Sequence, residues 1–118
     1  MELTRSEMEI MNVLWDAPGP MSRADLLAHS EGKSWKDSSV HILLNGILHK
    51  GLIREVGYVK RSKTYGRTFA PTMSREEYYA QVIYSQPYKP DIVRLVRALL
   101  YKTTVTDDQR EQLKQTLQ

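Results

Sequence analysis

Between Ser34 and Leu52 the chain reads SWKDSSVHILLNGILHKGL, and this stretch constrains the fold more than any other. At 3.6 residues per turn, Val40, Leu43, Leu44, Ile47 and Leu48 share one side of a helix running from about Asp37 to Lys50. Ser38, His41, Ile42, Asn45 and His49 share the other. Gly51 stands where a glycine ends a helix by entering the left-handed region. A rod divided in this way must be anchored through its apolar side. Its hydrogen-bonding side is then presented to something other than the protein's own core.

Two helices precede this rod. Thr4-Arg5-Ser6-Glu7 fits a capping box, with Leu3 and Met8 as its hydrophobic staple. Met8, Met11, Leu14 and Trp15 continue as an apolar face until Asp16-Ala17-Pro18-Gly19-Pro20 stops the helix. Ser22-Arg23-Ala24-Asp25 opens a second, short helix that ends before the loop-like Ser30-Glu31-Gly32-Lys33-Ser34. After Gly51 the period changes. Leu52 to Val56 and Arg67 to Ala70 read as paired strands, with residues 57–66 as a long hairpin tip holding two glycines, and Pro71 closes the second strand. Ser74-Arg75-Glu76-Glu77 caps a helix carrying Tyr78, Tyr79, Val82 and Ile83. Asp91 starts another, and Thr106-Asp107-Asp108-Gln109 a last one with Leu113 and Leu117.

Three helices and a hairpin predict a winged helix-turn-helix, so the fold class is mostly α with a small β-hairpin, plus a C-terminal helical segment. The expected division is residues 1–72 for the winged helix and 73–118 for the helical tail. With 118 residues the chain allows one modest core. It contains no cysteine, so disulfides and thiolate-held metals are excluded, which suits the cytoplasm. No run approaches the roughly 18 apolar residues of a membrane span, and the start has no signal-peptide pattern.

Charge is concentrated in the middle third. Residues 36–67 hold seven lysines and arginines against Asp37 and Glu55, whereas residues 1–35 hold three against six acids. One reading is a solvated basic face; the other is a polyanion partner. The third helix of a winged helix enters the major groove. There Ser38, His41 and Asn45 would supply hydrogen bonds, Ile42 would meet a thymine methyl, and Asn45 has the two-pronged amide that suits adenine. Lys36, Lys60, Arg61 and Lys63 suit phosphates, where charge counts more than pattern. Trp35 reads as a core plug. Gly46, inside the helix, should cost about 1 kcal/mol relative to alanine, and reads as tolerated rather than as an approach point for phosphate. No cofactor is implied. His41 and His49 stand too far apart along one helix to chelate a single ion, and no thiol, phosphate loop or carboxylate pair with histidine suggests an enzyme.

The stretches LTRSEMEIMNVLW, SWKDSSVHILLNGILHKGLI, RTFAPTMSREEY and LVRALLYKTTVTDDQREQLKQTL resemble the penicillinase-repressor family of bacterial regulators over nearly the whole chain. The resemblance implies a homodimer that represses genes by occupying a dyad operator on double-stranded DNA. It leaves open a membrane sensor-protease as a further partner. Several positions depart from the family pattern. Lys36-Asp37 replaces a common Ser-Pro, Gly46 replaces a common arginine, and the wing from Val56 to Gly66 is longer and more basic. Ala98-Leu99 stands where beta-lactam-responsive members are cleaved at Asn-Phe. The clustered tail cysteines of copper-responsive members are absent.

The tail supports self-association independently. Ile92, Leu95, Val96, Leu99 and Leu100 make too broad an apolar surface for a short helix to leave wet, and with Tyr79 and Ile83 they form the expected dimerisation surface. The competing reading folds the tail back onto its own winged helix. A second class of function is a winged helix serving as a protein-interaction adaptor, which would bind duplex DNA only weakly and release it in salt.

Overall fold

Four of the helices begin with the same reciprocal device. In the computed structural model, Thr4, Ser22 and Thr106 each accept a hydrogen bond from the backbone N–H three residues on, while Glu7, Asp25 and Gln109 reach back to the cap amide. Ser74 and Glu77 do the same, at 3.1 and 3.0 Å. These boxes start α1 (Arg5–Asp16), α2 (Arg23–Leu27), α4 (Arg75–Tyr84) and α6 (Asp107–Thr116). The structure describes residues 2–29, 31–61 and 64–118, and of residues 59–61, 64 and 65 it describes the backbone alone.

The central rod is built in two pieces. A 3-10 turn, Asp37–Ser39, leads into α3 (Val40–His49). Gly51, with φ +76°, ends it. The Gly51 amide donates to the Leu48 carbonyl and the Leu52 amide to the Ile47 carbonyl, at 2.9 and 3.2 Å, which is a Schellman motif. Leu52 and Ile47 are both buried and supply its apolar contact.

The sheet has three strands rather than two. β2 (Ile53–Arg61) pairs with β3 (Thr64–Pro71), and the short β1 (Met21–Ser22) pairs with the other side of β3. Met21 lies opposite Phe69 and Ser22 opposite Thr68. The expected ten-residue tip is mostly ladder. After a bulge at Val56, pairing continues from Gly57 with Thr68 to Arg61 with Thr64. Tyr58, Val59, Thr64 and Tyr65 are strand formers, and the two glycines that suggested a turn lie inside the pairing instead: Gly57 follows the bulge and Gly66 faces Val59.

The chain divides into two compact units, residues 1–82 and 83–118. In the first, Ile10, Met11 and Leu14 of α1 meet Leu26, Trp35, Val40, Leu44, Ile47, Leu52, Ile53 and Phe69 in one core. The α1 stripe is rotated from expectation, with Ile10 fully buried and Met8 and Trp15 only partly so. Trp15 looks instead toward α4: its indole N–H donates to the Met73 carbonyl at 3.0 Å, and its ring lies 5.7 Å from that of Tyr78. Tyr78 is buried and accepts from the Leu3 amide, while Arg75 bonds to Asn12 and Asp16. The start of α4 therefore packs on α1 within the first unit. The second unit holds α5 (Ile92–Lys102), capped by Asp91, and α6.

Candidate nucleic-acid interface

α3 is held from behind. Val40 and Ile47 are fully buried and Leu44 nearly so, which fixes the rotation of the helix and turns His41, Ile42, Asn45 and His49 outward. Ile42 is 70% exposed although its neighbours across the helix are at 0–3%. Ser38 is exposed in the 3-10 turn, and Lys36 is exposed just before it. No side chain caps either the turn or α3, in contrast with the capping boxes elsewhere. The structure thus places all four expected base-reading residues on one outward surface. It directly joins two of them, with Asn45 Nδ2 3.3 Å from His41 Nε2.

The expected phosphate-binding cations are distributed differently. Lys60 and Arg61 lie at the far end of β2, opposite Tyr65 and Thr64 in the ladder. Lys63 falls outside the described residues. Nearer the sheet's base, Arg67 pairs with Glu55 at 2.6 Å and stacks over Phe69 at 5.4 Å.

Two features that support α3 escaped the sequence. The first is a junction between α1 and α3. Glu7 is buried, its Oε1 accepts from the Thr4 amide and from the Lys50 ammonium, and Lys50 also donates to the Glu2 carbonyl. Burial pushes the Glu7 pKa up, but the hydrogen bonds from Lys50 and Thr4 and the Lys50 charge outweigh it and hold it below its ordinary value. Gly46 sits directly over this carboxylate: a Cβ there would lie 2.7 Å from Glu7 Oε2. Gly46 therefore leaves room for the Glu7 carboxylate against α3 rather than standing as a tolerated flaw. The second feature is a pin on the loop before Trp35. The Ser34 amide and hydroxyl both donate to Glu9 Oε2, at 3.0 and 2.9 Å, and hold the Glu9 carboxyl below the usual range. Trp35 itself is buried in the core as expected. The mid-helix glycine was the one visible signal of the first feature, and nothing in the sequence pointed to the second.

The expected dimerisation residues are exposed or half-buried. Tyr79 lies in the first unit, edge-on to Tyr78, and the other six lie in the second. On α5, Ile92, Val96, Leu99 and Leu100 are 39–58% exposed, and no residue of that helix is buried.

A helix-turn-helix whose second helix presents a polar face, followed by a two-stranded wing, defines a winged helix-turn-helix protein of the regulatory kind. The profile of the penicillinase repressor family matches residues 3–118, and the chain belongs to that family. No curated protein sequence matches it. Family membership carries the general role of a DNA-binding transcriptional repressor. No helix among the described residues is long and apolar enough to cross a membrane.

Proposed function

We propose that this protein is a cytoplasmic repressor that binds a particular operator as a homodimer, with residues 1–72 as the DNA-binding domain and 73–118 as the dimerisation segment. The observation that carries this reading is the outward face of α3. Ser38, His41, Ile42 and Asn45 are exposed on a helix whose opposite side is locked into the core. A groove about 12 Å wide accepts such a helix, and two of them about 34–36 Å apart would read half-sites one turn apart. Lys36, Lys60, Arg61 and Lys63 would supply charge for phosphates. A membrane sensor-protease enters this reading only as a relay for an inducing signal, and Ala98-Leu99 weighs against cleavage at that point.

Selection from a random duplex library tests the reading directly. The wild-type protein should enrich one dyad motif at physiological salt. Asn45→Ala should enrich a motif relaxed at one base of each half-site, at a cost of roughly 1–3 kcal/mol for the preferred base. Enrichment of no motif would reject specific operator binding.

The wing makes a different prediction. Alanine at Lys60, Arg61 and Lys63 together should weaken binding to every duplex alike. It should also make the slope of log affinity against log salt shallower by about 0.9 for each phosphate that is no longer neutralised. Titrations at several salt concentrations measure this, and an unchanged slope would show that the wing does not touch the phosphates.

A further inference from the structure

Asn45 and His41 are one turn apart on the exposed side of α3, and the amide nitrogen of Asn45 lies 3.3 Å from Nε2 of His41. A primary amide has two N–H groups. The one on the same side as the carbonyl oxygen forms, with that oxygen, the donor–acceptor edge that matches adenine N7 and N6–H. The other N–H points away from this edge and is free for another acceptor. We propose that His41 is a positioning residue for base reading: its neutral imidazole, accepting at Nε2, holds the Asn45 amide in the orientation that presents the adenine-matching edge.

This inference deepens the operator-reading proposal and rests on it. The chemistry has a definite polarity. Accepting at Nε2 requires the neutral ring with its proton on Nδ1. Once Nε2 is protonated it becomes a donor and no longer accepts from the amide N–H. The only acceptor Asn45 offers it is Oδ1, so the amide must turn over or the pair must separate. Either way the fixed edge disappears. Preference for adenine is thus tied to an acceptor at position 41.

Two measurements on the full chain test the proposal. In the DNA-free protein, the assigned Asn45 side-chain NH2 resonances should show the weak temperature dependence of a hydrogen-bonded proton. His41→Ala should lose it, and His41→Gln, whose amide oxygen accepts the same hydrogen bond, should keep it. In duplex selection, His41→Ala should lose about three- to tenfold preference at the base that Asn45→Ala relaxes. His41→Gln should keep the preference. Asn45 resonances indifferent to His41 would overturn the pairing. A relaxed Asn45→Ala beside a fully selective His41→Ala would overturn the positioning role alone. Unchanged selection by Asn45→Ala would overturn base reading by Asn45, and the positioning role of His41 with it.

Discussion

Aspartate at both Val96 and Leu99 should turn the proposed homodimer into a monomer and lower its affinity for a dyad operator by about 100- to 10,000-fold. The reasoning starts from what α5 leaves uncovered. Asp91 caps the helix by accepting from the Arg94 amide at 3.0 Å, so the segment is a properly started helix and not a loose tail. Along it Ile92, Val96, Leu99 and Leu100 recur at helical spacing and remain exposed, and α6 with its C-cap residue adds Leu113 and Leu117. Full burial of one such side chain is worth about 1.5–3 kcal/mol, so several together hold enough unused stabilisation for a stable interface. A second copy offers the same surface in reverse, as an isologous twofold contact requires. Two buried carboxylates in that interface would be desolvated without partners, a cost large enough to dissociate it. Once apart, each winged helix would have to grip a half-site alone, without the effective concentration that a partner would supply. Sedimentation at micromolar concentration and duplex titration read the two effects separately. The core of the first unit includes no residue of α5, so tryptophan fluorescence should show it unchanged. A variant that still sediments as a dimer would move the interface elsewhere.

What the sequence disclosed about this fold follows the range of the interactions involved. Thr4, Ser22, Ser74 and Thr106 announce helix starts because a cap and its partner lie three residues apart. Gly51 announces a helix end because only its own backbone conformation is at stake. The outward face of α3 was legible for a similar reason: a 3.6-residue period is a local property, and Val40, Leu44 and Ile47 carry it. Long-range pairing was hidden. Gly57 and Gly66 look like turn residues, and only the register of β2 on β3 shows that they lie within a ladder. Ser22 was readable as a cap but not as a strand residue opposite Thr68, since its partner lies 46 positions away. At the interface, residue types and helical spacing placed Ser38, His41, Ile42 and Asn45 together. The hydrogen bond between His41 and Asn45 depends on rotamers, which spacing permits but does not choose. Glu7 carried two messages, and only the local one, its place in a capping box, was readable. The other needs Gly46 and Lys50 brought beside it by the crossing of α1 and α3.

That crossing yields a reversal of sign. By helix propensity alone Gly46→Ala should stabilise α3 by about 1 kcal/mol. In the native protein it should instead destabilise the first unit by about 1–2 kcal/mol, because the new methyl would stand 2.7 Å from Glu7 Oε2 and the carboxylate must move. Glu7 is only 5% exposed, so it has little room to move without leaving its partners. Leaving them weakens the α1 cap, worth about 0.5–2 kcal/mol, and the charged hydrogen bond from Lys50, worth about 1.5–3 kcal/mol. Partial retention of both gives the net figure. In a Glu7→Ala background the obstruction is gone, and the same Gly46→Ala change should then stabilise by up to about 1 kcal/mol. Urea unfolding of the four proteins, followed by tryptophan fluorescence, closes the cycle; both tryptophans, Trp15 and Trp35, report on the first unit. Acid provides the second axis. The Glu7 pKa is lowered in the fold, so its contribution is fully present above the ordinary glutamate value and is lost as pH falls through the lowered one. Wild-type stability should therefore fall more steeply over that acid range than that of Glu7→Ala. If Gly46→Ala stabilised the wild type as much as the Glu7→Ala protein, the glycine would be an ordinary weak point in a helix, and the lock between α1 and α3 would not exist.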